Sequence, residues 1–244
     1  MLCEVAHRFG DKYALKNISL SIERGERVAI IGPSGSGKST LLNLMQGVLE
    51  PTKGQVFLKG HLLQSAKLPF DIRQKVGKMP QDNHLVGRLA VVHNLNGGRL
   101  ADWPFWKSML SLLFPQDLEP LKEMMKTLGL PEALLFQRTE ELSGGEQKRI
   151  ALGRVLLQRA DLIFADEPVA SVDPERARSV LSLLCAADER GRTLVASLHE
   201  VDLARTFFDR IIGLREGRII FDLPRNEIQA THFNDLYRLE DTLS

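Results

Sequence analysis

Cysteine is scarce in this sequence. Cys3 and Cys185 stand far apart and neither belongs to a C-x-x-C pair. That excludes a disulfide framework and a C-x-x-C metal site, and predicts two free thiols in a reducing compartment. Long apolar runs are missing too: none approaches the roughly 20 residues needed to cross a bilayer. The opening MLCEVAHRFG is broken by Glu4 and Arg8 and does not read as a signal peptide. The expectation is an intracellular chain that reaches a membrane only through another protein's spanning helices. Charge of one sign is also lacking. Thirty-two basic residues meet 31 acidic ones, for a net +1, with no basic block. A nucleic-acid partner is therefore not expected.

What is present is ordinary in amount and informative in order. Apolar residues make up 43% and charged ones 26% of 244 residues, enough for one sizeable globular domain. Residues 2–9 and 18–22 read as strands around a turn at Gly10-Asp11. Arg27 to Ile31 reads as a strand running into a glycine-rich loop, with a helix from Lys38 to about Gln46 and a strand at Gln55 to Lys59. From about Leu85 to Arg154 helical spacing takes over, with Leu118, Leu121, Met124, Met125 and Leu128 on one apolar face. Strands at Asp161 to Ala165 and Thr193 to Ser197 then alternate with helices at Glu175 to Asp188 and Val201 to Phe208. A hairpin around Glu216-Gly217 and a helical tail follow. Alternation of this kind implies an α/β fold, a mostly parallel sheet with helices on both faces.

Gly32, Pro33, Ser34, Gly35, Ser36, Gly37, Lys38, Ser39 and Thr40 spell GPSGSGKST, a match to G-x-x-x-x-G-K-[ST]. Glycines let backbone N–H groups curl round phosphate oxygens, and the helix beginning at Lys38 aims its positive end at them. Lys38 is expected on the β- and γ-phosphates and Ser39 on Mg²⁺. The pattern arises by chance in on the order of one chain in a hundred, and its place between a strand and a helix makes chance rarer still. Leu162 to Glu167 is an apolar strand ending in two carboxylates. Beside a phosphate loop, Asp166 suits the Mg²⁺ shell and Glu167 suits a general base for the attacking water.

Leu142 to Gln147 reads LSGGEQ. This resembles the signature motif of ABC ATPases, and the resemblance extends over most of the chain. It implies a P-loop NTPase fold of ABC type: a RecA-like core with an antiparallel β subdomain and a helical signature subdomain. One ABC ATPase domain spans 1–244, with a catalytic lobe at 1–86 and 155–225, a helical lobe at 87–154 and a tail at 226–244. The resemblance assigns Gln81 to the loop that bridges Mg²⁺ and the permease, Ser171-Val172-Asp173 to the D-loop, and His199 to the switch that holds the γ-phosphate. Phe9, or failing it Tyr13, would stack on adenine. Ser143, Gly144, Gly145 and Glu146 open a second anion-binding helix end, which in the family completes the phosphate site of a second copy. ATP and Mg²⁺ are the implied cofactors. The implied partners are a second copy, transmembrane permease subunits and, indirectly, an extracytoplasmic substrate-binding protein, at the cytoplasmic face of the membrane.

Asn83 to Leu95, Trp103 to Phe114, EPVASVDP from Glu167 to Pro174 and Leu198 to Asp222 resemble the ATPases of phosphonate-type importers, whose relatives also carry phosphite. Pro80 stands where an aromatic is usual before Gln81, and Val172 replaces a common Leu. Trp103 and Trp106, flanking Phe105, read as packing inside the helical lobe, with a permease-docking face as the sharper alternative. An exporter-type or lipoprotein-releasing ATPase is the nearest competing function. A non-transport ABC protein would be expected to carry a second ATPase unit or a long coiled coil, and a signalling GTPase an N-K-x-D motif. None of these features is in the sequence.

Overall fold

A computed structural model describes residues 1–63, 69–81, 84–170, 172–186 and 191–237. The first layer is an antiparallel sheet. Strands β1 (Leu2–Phe9), β2 (Lys12–Leu20), β4 (Lys53–Leu58) and β5 (His61–Leu62) lie in the order β2-β1-β4-β5. The second layer is larger, with β3 (Arg27–Ile31), β6 (Val76–Met79), β7 (Leu162–Asp166), β8 (Thr193–Leu198), β9 (Arg210–Arg215) and β10 (Arg218–Pro224) in the order β10-β9-β3-β8-β7-β6. From β9 to β6 every neighbouring pair is parallel, and β10 closes the edge as an antiparallel hairpin with β9.

Strands β3, β7, β8 and β9 are buried on both faces, so they read as continuous apolar runs rather than alternating ones. Val28 and Ile30 of β3 face one apolar cluster, with β1, β2, β4 and helix α1 (Lys38–Met45). Ala29 and Ile31 face the other. That second cluster joins α3 (Val91–Asn96), α5 (Leu118–Thr127), α6 (Gly144–Leu157), α7 (Pro174–Ala186), α8 (Val201–Phe207) and α9 (Ala230–Tyr237). The short α2 (Phe70–Gln74) leads into β6, and α4 (Phe105–Leu113) lies between α3 and α5.

The stripe read from helical spacing lies on α5. Leu121 and Met125 are fully buried, Leu128 nearly so, and Leu118 and Met124 pack at the margin.

Several boundaries differ from expectation, for physical reasons. β2 begins at Lys12, directly after the turn. A left-handed residue at Asn17 (φ 52°) interrupts the strand's alternation, so its first half does not read as a strand. β1 carries a similar break at Glu4 (φ 50°), with register shifts against β2. The end of the helix expected to reach Asp188, and the last residues of the tail, lie outside the described residues.

The two tryptophans separate. Trp103 packs under two cations, with Arg99 5.2 Å and Lys107 4.7 Å from its ring. Trp106 and Phe105 are not packed inside the lobe: they are 66% and 80% exposed. Helix α4 instead turns its polar side inward. Lys107 and Arg99 both pair with Asp117, and His93 Nδ1 lies 3.0 Å from the Ser111 carbonyl.

Candidate active site

The site follows from strand register. Ile31 pairs with Leu198, Asp166 with Ser197, and Met79 with Ala165. The carboxyl ends of β3, β8, β7 and β6 therefore finish at one edge of the sheet. The residues that follow, at Gly32, His199, Glu167 and Pro80-Gln81, emerge together, where open parallel sheets place ligands.

The loop after β3 is held from several sides. Ser36 N–H donates to the Pro33 carbonyl at 3.2 Å, and the Ser36 carbonyl accepts from Gly217 N–H at 3.0 Å. Gly37 sits at φ 106°, and a Cβ there would lie 2.7 Å from the Ala14 carbonyl oxygen. The residue must be glycine because β2 passes directly against it. Lys38 curls back, its Nζ donating to the carbonyls of Gly32 at 2.8 Å and Pro33 at 3.2 Å. Burial pulls its ammonium below the ordinary lysine value, against the opposite pull of Glu167 and Asp166. Ser34 and Gly35 form the exposed tip, while Ser39 and Thr40 are half-buried in the first turn of α1.

Ser39 Oγ donates to Asp166 Oδ1 at 3.1 Å. Glu167, left-handed at φ 49°, receives Gln81 Nε2 on Oε2 at 3.1 Å, and His199 Nε2 lies 2.6 Å from its Oε1. Five sequence-predicted residues, from four separate stretches of chain, thus gather at this edge.

The other expected residues stand elsewhere. Ser143 caps α6: its Oγ accepts from Glu146 N–H at 3.4 Å, and Glu146 Oε2 accepts from Ser143 N–H at 2.8 Å. The Ser143 hydroxyl also donates to that carboxylate at 2.7 Å, holding it below the usual glutamate range. The position a Cβ would take at Gly144 meets nothing within 4 Å. Among the described residues, no hydrogen bond joins 143–146 to the phosphate loop.

Asp173 accepts from Arg176 N–H at 3.0 Å at the start of α7, and Ser171 lies outside the described residues. Phe9 is 55% exposed at the tip of the β1–β2 hairpin, edge-on to His7 at 4.7 Å, and Tyr13 is 39% exposed on the paired strand.

Three contributors were missed in the sequence. Ser197, fully buried, donates to Asp166 Oδ1 at 2.6 Å and accepts from Glu167 N–H at 2.8 Å. Lys148 Nζ on α6 donates to the Ala170 carbonyl, in the turn after Glu167. Tyr237, at the end of α9, meets the Gly32 backbone, and burial raises its phenol. A hydroxyl at the end of an apolar strand was the one available signal, and it points to Ser197.

Residues 15–170 match the family model for ABC transporters, more than half of the chain. The chain belongs to the ABC transporter family. This ABC ATPase is 45% identical over 230 residues to a phosphonates import ATP-binding protein, PhnC 1, of Pseudomonas syringae pv. tomato, covering 93% of this chain and 86% of that one. It is 40% identical to the protein of the same description from Hydrogenovibrio crunogenus, covering 93% and 84%. Among solved structures it resembles a dimeric ATP-binding cassette in a post-hydrolysis state bound to ADP and phosphate, with a TM-score of 0.78 at 30% identity, covering 93% of this chain and 99% of that one. The family makes it a nucleotide-binding transport ATPase. Among the described residues, no helix of this ATPase is long and apolar enough to cross a membrane.

Proposed function

We propose that this chain is the ATP-hydrolysing subunit of an importer for a small oxyanion, phosphonate or phosphite, working as a pair of identical cassettes on two permease subunits. The observation that supports it best is the cluster of Gln81, Glu167 and His199 beside Lys38, Ser39 and Asp166, set apart from a second anion-binding helix end at Ser143. The description of the relatives as phosphonate importers supports the cargo. The catalytic lobe is 1–86 and 155–225, the helical lobe 87–154 and the tail 226–244.

The geometry supports the following residue roles. The loop N–H groups from Gly32 to Thr40 and the Lys38 ammonium take the phosphates once Lys38 leaves its carbonyl partners. The Ser39 hydroxyl and the Asp166 carboxylate, 3.1 Å apart, form the hard-oxygen pair that suits Mg²⁺, with Gln81 completing its protein donors. Bound there, Mg²⁺ neutralises charge on the terminal phosphates. Glu167 accepts the proton of the attacking water, and His199 and Gln81 hold its two oxygens in line. Phe9 stacks on adenine, and Ser143 to Glu146, with Asp173, meet the nucleotide of the other copy.

The exposed face of α4 around Trp106 meets the permease, and an extracytoplasmic binding protein delivers the cargo. Uptake assays on the reassembled transporter, with methylphosphonate, phosphite, phosphate and sulfate offered in turn, test this. Uptake of a phosphonate or phosphite that disappears with Glu167→Gln is the expected result. ATP hydrolysis without uptake of any of the four would overturn the cargo.

A further inference from the structure

The exposed ring of Phe9 is braced from below. His7 and Phe9, two residues apart on β1, share one face of the strand. Their rings meet edge to face, with centroids 4.7 Å apart and planes at 78°. Phe9 is 55% exposed and His7 only 9%. His7 Nδ1 lies 2.9 Å from the Glu50 carbonyl. A carbonyl can only accept, so Nδ1 carries the proton and donates, and in that tautomer Nε2 is an acceptor. Among the described residues, this Nε2 is buried and has no hydrogen-bond partner. An unpaired buried acceptor works against stability, so folding alone does not account for an imidazole here.

The turn that holds His7 also ties β1 to the helix of the phosphate loop. Val48 N–H and Leu49 N–H both donate to the Asn43 carbonyl of α1, at 2.9 and 3.2 Å. Beyond Glu50, Thr52 N–H donates to the Ala6 carbonyl at 2.9 Å, and Arg8 N–H donates to Thr52 Oγ1 at 3.2 Å. The end of β1, with the His7 ring, is thereby fixed to the far end of the helix that begins at Lys38.

We infer that His7 is a positioning residue for nucleotide affinity: tethered to Glu50, its ring sets the plane of Phe9 and the distance from the base to the phosphates. A freely turning, exposed Phe9 must be ordered each time a base stacks on it, and a ring already braced at its edge needs less ordering. The inference rests on the stacking role proposed above for Phe9.

Titration calorimetry on the full chain tests it with two ligands, each with Mg²⁺: a non-hydrolysable ATP analogue, and tripolyphosphate, which has the phosphates and no base. His7→Leu should weaken the analogue several-fold and leave tripolyphosphate unchanged. His7→Phe, which returns an aromatic edge, should recover most of the loss. Equal weakening of both ligands, no weakening of either, or a Phe variant no better than Leu overturns the inference. If His7→Leu does not fold, His7→Asn decides. Its amide can still donate to Glu50 but has no ring, so it should show the same analogue-specific loss, and wild-type affinity there overturns the inference. Phe9→Ala separates the two readings. If Phe9→Ala binds the analogue as the wild type does, the stacking assignment falls and the inference with it. If Phe9→Ala weakens the analogue and His7→Leu does not, the inference alone falls.

Discussion

Replacing Ser197 by Ala isolates the link between the Asp166 carboxylate and the Glu167 backbone. The Ser197 hydroxyl donates to Asp166 at 2.6 Å and accepts from the Glu167 amide at 2.8 Å, with no solvent access of its own. A hydrogen bond to a charged group is worth about 1.5–3 kcal/mol, and an amide left unsatisfied costs about 1–3 kcal/mol. The two losses overlap, so about 2–4 kcal/mol is expected, or about 4–16 °C in Tm for a chain of this size. Glu167 loses the tether that fixes its left-handed backbone. A displacement of ~1 Å at a reacting group can cost about 100-fold in rate. Lys38 and Ser39 are untouched, so nucleotide affinity should change by no more than a few-fold. Calorimetry, steady-state hydrolysis at saturating MgATP and binding of a fluorescent ATP analogue measure the three quantities. An Ala variant with wild-type Tm and turnover would show that the hydroxyl organises nothing.

Gly37→Ala places a methyl 2.7 Å from the Ala14 carbonyl oxygen at φ 106°, a backbone cost of about 1–3 kcal/mol. Equilibrium binding should show weakened ATP affinity. Phe208→Ala empties a fully buried site and should cost about 3–5 kcal/mol in denaturant unfolding. Trp106→Ala, at a side chain 66% exposed, should leave Tm within a few degrees and weaken co-purification with the permease; loss of folding would refute the docking face. Ser143→Ala removes the cap of α6 and should cost about 1 kcal/mol. The Glu146 carboxylate is held below its unfolded value, so its share of the cap is present above that value and lost as pH falls through the folded one. The acid limb of a Tm-against-pH curve should flatten in Glu146→Gln.

Local chemistry made the phosphate loop legible, because a strand, three glycines, a lysine and a helix start sit in consecutive residues. The acid pair was legible for the same reason. Ser197 showed only as a hydroxyl at the end of an apolar strand, because its role depends on the register of β8 against β7, which aims it at Asp166. β6 escaped as well: Val-Gly-Lys-Met is too short to show a period, yet this strand delivers Gln81 to Glu167. The tryptophans misled because they sit together in one apolar stretch. Both read as packing inside the helical lobe, but Trp103 precedes the start of α4 and packs against cations, while Trp106 lies on the outward side.

The signature is a different case. Its capping box is written in Ser143 and Glu146, and the fold forms it, but no hydrogen bond carries it to the phosphate loop among the described residues. It presents a capped helix end with open space at Gly144. Under the proposed pairing a second copy uses it, and that dependence yields a discriminating result. Ser143→Ala should then impair hydrolysis in mixed pairs at the site of the unmutated partner. A Glu167→Gln chain paired with a Ser143→Ala chain has both lesions fall on one site, leaving the other intact and active. Two lesions placed in the same chain spread over both sites of a mixed pair with wild type. If instead the same-chain arrangement is the more active, each chain completes its own site and the pairing is wrong.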